Sequence, residues 1–503
     1  MNKAQKAGLI FGLITAAAIY CLAQVYFENS NAIVMAAIAS LMAIWWITEA
    51  VPLAATSLLP LVLFPLLGIS DGEKVASSYI NSVIFLFLGG FIIALAMEQW
   101  NLHKRISLKI ISWFGGTVSA IVVGFMFATA FISMWISNTA AALMMLPIAL
   151  SVISNLENTF GKAKLENFSK AMMLGIAYAS SIGGMATLVG TPPNLALIKI
   201  LQITFPESPA ISFGSWMSLS LPISAMMLTA AIILLTKIKF KLSNDLKVDK
   251  SFIINEYKNL GKTTFEEKAV GIIFCSTALL WIFRTDLNFG LIKIPGWQNL
   301  LPYPEFINDG TVAIFMSLIM FIIPSKSSLN GKKTIIDVEV FQKVPWSIIL
   351  LFGGGFALAQ GFSVSGLSEL IGHSISGFSF LTPLLLLMIV SLSLNFLTEL
   401  TSNTATANMI LPILASISVA MKMNPLLLMI AATLSVSMAF MLPVGTPPNT
   451  IVFASGRLKI GDMAKTGFVL NLVGVVIVSL LVYFLGTVLF DLSTFPHWAI
   501  IKK

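Results

Sequence analysis

Apolar runs long enough to cross a lipid bilayer recur along this sequence from end to end, and they limit its fold more than any other feature. They cover 8–26, 32–48, 52–68, 79–99, 117–154, 170–200, 213–236, 266–284, 310–324, 345–372, 380–421, 425–456 and 464–490. A helical span takes about twenty residues, and inside hydrocarbon each backbone amide must find its partner within the protein. Only 10% of the 503 residues are charged and 57% are hydrophobic, with a mean hydropathy of +0.92. Soluble domains carry about 25% charge. The chain therefore reads as an all-α polytopic membrane protein with about 11 transmembrane helices and two interrupted blocks, 117–154 and 380–421. Lys3 and Lys6 precede the first run with no small-residue cleavage site behind it, so that run reads as a retained span.

The two interrupted blocks carry the same polar centre. Ile132 to Pro147 reads ISMWISNTAAALMMLP, and Leu397 to Pro412 reads LTELTSNTATANMILP. Three adjacent hydrogen-bonding side chains, Ser137, Asn138 and Thr139 in one block and Ser402, Asn403 and Thr404 in the other, would find no partner in lipid. Each block is followed by GTPPN, at Gly190–Asn194 and Gly445–Asn449. FLFLGGFIIA (Phe85 to Ala94) also matches LLFGGGFALA (Leu350 to Ala359). That pair and the SNT pair are each 265 residues apart, and the GTPPN pair 255. Three landmarks in one order define two homologous halves, 79–236 and 345–490. Around them lie 1–78 as N-terminal scaffold helices, 237–344 as a cytoplasmic linker with further scaffold helices, and 491–503 as a tail.

Five spans separate the two SNT blocks, and an odd number turns the second half upside down, giving inverted-topology repeats. Loop charge agrees. Lys104, Arg105, Lys109, Lys162, Lys164 and Lys170 flank the first block, and only Lys422 lies near the second. With the N-terminus in the cytoplasm and the C-terminus outside, 23 of the 30 Lys and Arg fall on the cytoplasmic side. The same bias accounts for the net charge of +8 and calls for no nucleic-acid partner.

Asn-Thr between two apolar arms is a place where a helix stops and restarts. Ser and Asn cap the orphan amides of the following helix, whose N-terminus carries partial positive charge and can receive a carboxylate or phosphate without Arg or Lys. The other side of the break exposes carbonyls, which with Ser and Asn oxygens make a hard site suited to sodium. In GTPPN, Gly190 and Gly445 permit unusual dihedrals, and two prolines remove two donors. Two broken helices in each half, meeting near mid-membrane, form the pattern of an ion-coupled transporter of anions.

With SNT twice and a GTPPN after each, essentially the whole chain resembles the divalent anion/sodium symporter family, the carriers of di- and tricarboxylates. The resemblance implies that the SNT motifs sit at the tips of two re-entrant hairpins and that GTPPN lies in the break of the next helix. It implies one sodium ion per half, the first held by Ser133, Ser137, Asn138 and Gly190. The second would be held by Thr398, Thr401, Asn403 and Gly445, several of these through backbone carbonyls. Substrate carboxylates would meet Asn138, Thr139, Asn403 and Thr404, with Thr191, Pro192, Thr446 and Pro447 lining the pocket. The family is homodimeric, moves its substrate by an elevator-like displacement, and commonly uses a third sodium for which no site is visible in this sequence. The implied activity is sodium-coupled import of C4-dicarboxylates such as succinate, malate and fumarate across the cell membrane, with neither enzymatic residues nor an organic cofactor. A sodium-independent dicarboxylate exchanger, or a carrier of citrate or an inorganic oxyanion, fits the same fold. A membrane enzyme or receptor would need a catalytic or cofactor constellation that is missing.

Other residues carry weaker expectations. Glu399, an acid inside an apolar block, either tunes sodium affinity or pairs with scaffold groups. Glu49 reads as interfacial. His103, His373 and His497 read as loop or terminal residues without metal-ligand spacing, and Lys199 and Lys422 as snorkelling side chains. Trp45, Trp46 and Trp281 read as lipid or interface anchors, and the glycines at 89–90 and 353–355 as close helix contacts. Cys21 and Cys275 read as small buried hydrophobes. In the polar divider 237–265, Phe240, Leu242, Phe252, Ile253 and Tyr257 either lie along the membrane surface or belong to a solvated loop.

Overall fold

The computed structural model describes residues 1, 3–26, 30–242, 247–248, 251–288, 293–326, 333–375 and 382–500. Two long apolar helices, α1 (Lys3–Tyr26) and α2 (Ser30–Thr48), open the chain. The run expected at 52–68 is instead two short pieces, α3 (Leu53–Thr56) and α4 (Leu59–Leu66), each started by a proline, and α5 (Gly72–Ser77) follows. A first long series comprises α6 (Ser82–Gln99), α7 (Leu102–Trp113), α8 (Val118–Ser133), α9 (Asn138–Phe160), α10 (Glu166–Met185), α11 (Pro192–Thr204) and α12 (Phe213–Ile233). Between the series lie α13 (Ser251–Asn259), α14 (Phe265–Ile282), α15 (Asp309–Ile322) and α16 (Val340–Lys343). The second series is α17 (Trp346–Ser365), α18 (Leu367–Ile375), α19 (Pro383–Leu397), α20 (Asn403–Ala420), α21 (Pro425–Ser435), α22 (Pro447–Phe453) and α23 (Ile460–Phe490). The described strands form only two-residue ladders, Gly116–Thr117 with Lys247–Val248 and Leu287–Asn288 with Lys293–Ile294.

Among the described residues, eight helices are long and apolar enough to cross a membrane, and several shorter apolar helices accompany them. The two runs that carry GTPPN are divided, as the motif leads one to expect. The first, 170–200, stops at Met185 and restarts at Pro192, and 425–456 stops at Ser435 and restarts at Pro447. Caps set many of the starts: Asn81, Thr117, Ser137, Thr382, Ser402 and Asn424 each accept a backbone N–H from the first turn of the helix they precede. The helices leading into the two GTPPN breaks are the most enclosed. Every residue of α21 is buried, and α10 is buried from Ala171 to Met185.

The glycines behave as expected. A Cβ at Gly89 would stand 2.6 Å from Ala313, binding α6 to α15, and Cβ atoms at Gly353, Gly354 and Gly355 would strike Tyr79, Ser57 and Asn408. Several other expectations are corrected. Trp46 and Trp281 are buried and hydrogen-bonded, Trp46 to Leu53 O and Ser57 Oγ and Trp281 to Asp309 O, so they are core residues and not lipid anchors. Cys21 and Cys275 are exposed, on outward faces of α1 and α14. His103 lies on α7, buried, with Nδ1 2.9 Å from Met97 O, and His373 lies on α18, its side chain outside the described residues. Phe240 and Ile253 pack into the protein core, and Leu242 packs against it. Arg105 docks this divider: it pairs with Glu267 at 3.0 Å, donates to the carbonyls of Leu260 and Gly261, and lies over the Tyr257 ring. The side chain of Phe252, and residues 243–246 and 249–250, lie outside the described residues.

Candidate functional site

Both SNT motifs stand where one helix ends and another begins. In the first series α8 finishes at Ser133, a turn follows, and Ser137 takes an extended conformation (φ −62°, ψ 144°) and accepts the Ala140 N–H at 3.2 Å. Asn138 and Thr139 thus form the first turn of α9. In the second series Ser402 does the same for α20 (φ −67°, ψ 125°), placing Asn403 and Thr404 in its first turn. An extended Ser or Thr followed by a helix former is what a cap requires, so the local sequence dictates the break.

Behind each tip lies a buried hydroxyl. Ser133 Oγ is 2.7 Å from Asn138 Oδ1 and 2.6 Å from the Ser180 carbonyl. Thr398 Oγ1 is 2.6 Å from Asn403 Oδ1 and 2.8 Å from the Val436 carbonyl. Ser133 and Thr398 are both fully buried. Thr401 Oγ1 lies 2.9 Å from Leu397 O and 2.7 Å from Thr406 Oγ1.

The GTPPN motifs open α11 and α22. Thr191 and Thr446 are extended (φ −146° and −144°), and the prolines after them occupy first-turn positions, where a missing N–H costs nothing. The two breaks are braced differently. In the first series Thr187 Oγ1 donates to the Met134 carbonyl at the hairpin tip and accepts the Gly190 N–H at 3.1 Å. In the second series Glu399 Oε1 accepts the Phe440 and Met441 N–H groups at 2.7 and 2.8 Å, and Oε2 accepts that of Leu442 at 2.9 Å. Asn471 Nδ2 completes the shell at 2.8 Å. This carboxylate is therefore held by backbone amides and one asparagine, the scaffold-pairing alternative of the two expected for it. No residue-level signal in the sequence links Glu399 to the segment forty residues further on.

All four motif segments face one cavity of about 1060 Å³. Ser137, Asn138 and Thr139 lie on its wall, as do Thr401, Asn403 and Thr404. Gly190, Thr191 and Pro192 meet Gly445, Thr446 and Pro447 there. Of the residues expected to form a site, only Ser133 and Thr398 are off this wall, and each contacts the asparagine that is on it. Among the described residues no Lys or Arg lines the cavity, and the one acidic residue on its wall is Glu49, which is exposed and has a backbone φ of 47°. Glu49 thus borders the cavity, a position not read from the sequence. Lys199 and Lys422 are not on the wall. Trp135, which no feature of the sequence singles out, also lines the cavity and stacks on Phe213 at 6.0 Å.

The sodium:sulfate symporter transmembrane region, as a family profile, matches residues 3–492. The sodium-dependent dicarboxylate transporter SdcS of Staphylococcus saprophyticus is 43% identical over 495 residues, covering 96% of this chain and 92% of that protein. SdcS of Staphylococcus aureus is 42% identical over 494 residues, with the same coverage of 96% and 92%. Among solved structures, Neisseria gonorrhoeae MtrF, described as one of a class of antimetabolite efflux pumps, superimposes with a TM-score of 0.54 at 14% identity, over 82% of this chain and 84% of its own. The Alcanivorax borkumensis YdaH transporter gives 0.52 at 13% identity, over 83% and 89%. At such identities the two structures speak for the fold alone.

Proposed function

Since the chain belongs to the sodium:sulfate symporter family, we propose that it is a secondary active transporter that imports dicarboxylates together with sodium ions. The observation that carries this reading is the one cavity on which both SNT tips and both GTPPN bends converge, with no cationic side chain on its wall among the described residues. A dianion leaving water needs compensating charge, and isolated charges are costly to desolvate. Helix starts at Asn138 and Asn403 offer amides and partial positive charge, those at Pro192 and Pro447 add partial positive charge, and sodium supplies the remainder. The names of the staphylococcal relatives, sodium-dependent dicarboxylate transporters, point the same way.

In this reading Ser133, Ser137, Asn138 and Gly190 hold one sodium, and Thr398, Thr401, Asn403 and Gly445 hold a second. Their donors are all oxygens, the set that hard cations take. Asn138, Thr139, Asn403 and Thr404 receive the substrate carboxylates, with Thr191, Pro192, Thr446 and Pro447 completing the pocket. Four-carbon diacids such as succinate, malate and fumarate are the proposed cargo. Each filled sodium site favours the substrate and the bound substrate favours sodium, because coupling of binding free energies is reciprocal.

The architecture proposed with it is a pair of inverted repeats, 79–236 and 345–490, each contributing a re-entrant hairpin (α8–α9 and α19–α20). The seven-helix order of the two series and their matched hydroxyl–asparagine contacts support that relation. The segments 1–78 and 237–344 serve as scaffold, with the N-terminus in the cytoplasm and the C-terminus outside. Transport proceeds in a homodimer by an elevator-like movement of the hairpin-bearing part. Labelled succinate uptake into proteoliposomes, with and without an inward sodium gradient and competed by a panel of anions, tests the function. Sodium-driven uptake blocked by malate and fumarate is expected. Uptake indifferent to sodium, or competed only by citrate or sulfate, would contradict it.

A further inference from the structure

The asparagine that ends each GTPPN turns its amide back onto the break preceding it. Asn194 Nδ2 lies 2.7 Å from the Thr187 carbonyl and 3.3 Å from those of Gly184 and Met185. Asn449 Nδ2 lies 2.9 Å from the Leu442 carbonyl and 3.1 Å from that of Ala439. The acceptors correspond between the halves, seven and ten residues before the asparagine in both. Both asparagines are at 0% exposure, and in both Oδ1 has no hydrogen-bond partner among the described residues. Carbonyl oxygens on the other side fix which end of each amide is the nitrogen. Breaking a helix frees carbonyls, and these amides supply protons to them where water does not reach.

The backbone they hold is the backbone that touches the proposed cation ligands. A Cβ at Gly184 would stand 2.3 Å from Asn138 Oδ1, and one at Gly190 would stand 2.5 Å from the Gly184 carbonyl. In the other half the Leu442 carbonyl accepts both Asn449 Nδ2 and, at 3.1 Å, the Gly445 N–H. In the first half the amide thus ties the broken helix end to the glycine and asparagine of its clamp, and in the second half to the glycine.

We propose that Asn194 and Asn449 are positioning residues for the two cation clamps, holding Gly184–Gly190 and Ala439–Gly445 in the geometry that sodium requires without touching the ion. This rests on the sodium-coupled reading above. Its test follows the thermal unfolding midpoint of the purified full chain in detergent as sodium chloride replaces choline chloride at constant ionic strength. Wild type, Asn194→Ala, Asn449→Ala and the distant control Gly461→Ala are compared. A wild type that does not respond to sodium would overturn the functional reading itself. With a responding wild type, each asparagine variant is expected to need at least about tenfold more sodium for half of the effect, the loss of roughly one hydrogen bond's worth of organisation. A merely structural role would lower the midpoint equally at every sodium concentration and leave half-saturation unmoved, and that result overturns the proposal. If an alanine variant does not fold, the serine variant, which keeps one donor, is read in its place. A smaller shift in the same direction supports the proposal, and an unshifted curve overturns it.

Discussion

The hydroxyl of Thr398 lies 2.6 Å from the amide oxygen of Asn403, five residues further on across a broken helix. Ser133 and Asn138 repeat the contact in the other half at 2.7 Å. In both, a carbonyl from the next helix adds a third oxygen within 2.8 Å of the same hydroxyl. One hydroxyl proton serves only one of these neighbours. Either the amide presents its nitrogen to the hydroxyl or a cation gathers the oxygens, and carbonyl and hydroxyl oxygens are the ligands that sodium takes.

Removing the hydroxyl alone separates the two roles. Ser133→Ala and Thr398→Ala are each expected to raise the sodium concentration for half-maximal uptake by about tenfold, roughly 1.4 kcal/mol. Thr398→Ser, which keeps the oxygen, is expected to restore the wild-type value. A sodium dependence unchanged by Thr398→Ala in uptake assays would remove that hydroxyl from the clamp.

Asn138 and Asn403 carry more, since each lies on the cavity wall as well as against a buried hydroxyl. Asn138→Ala or Asn403→Ala is expected to abolish uptake while the protein still elutes as a folded, monodisperse species. Full transport by either variant would take that residue out of the site.

Gly184 tests the same geometry from its other side. Alanine there would place a methyl 2.3 Å from Asn138 Oδ1, a distance no real contact tolerates, so the amide must leave its position. Gly184→Ala is therefore expected to lose sodium-dependent uptake, whereas Gly461→Ala, with open space around it, is expected to transport normally. Equal activity in the two variants would show that Asn138 is free to move.

Glu399 accepts three backbone N–H groups and an asparagine amide. Charge-assisted hydrogen bonds contribute roughly 1.5–3 kcal/mol each, and a buried donor left unpaired costs more than the bond gained. Glu399→Gln is expected to lower the unfolding midpoint in detergent, and Glu399→Ala to lower it further or prevent folding. An unchanged midpoint in both variants would mean that the break between α21 and α22 holds itself.

The convergence of the candidate site was legible in the sequence because polar triplets inside apolar runs are costly in lipid, and these occur twice with the same companion. The meeting of Asn138 and Asn403 with Gly190 and Gly445 in one cavity follows from that duplication. Other features leave no trace along the chain. Glu399 finds its partners at Phe440 to Leu442, and nothing local marks a segment without helical bonds as the acceptor's destination. Trp46 and Trp281 look like interfacial anchors by composition, since apolar runs do not reveal which face turns inward. The same ambiguity hid the exposure of Cys21 and Cys275, for an apolar residue on a spanning helix is as stable against lipid as in the core. Proline positions foretold the breaks at 186–191 and 436–446, but not how differently Thr187 and Glu399 brace them.

The most direct test is equilibrium binding of labelled succinate to the purified protein, with sodium exchanged for choline at fixed ionic strength. If the charge of the diacid is balanced by ions and helix ends, affinity must climb steeply as sodium rises and binding must vanish in choline. Equally tight binding in choline would mean that the cavity holds a dianion without the ions, and sodium would have no part in its recognition.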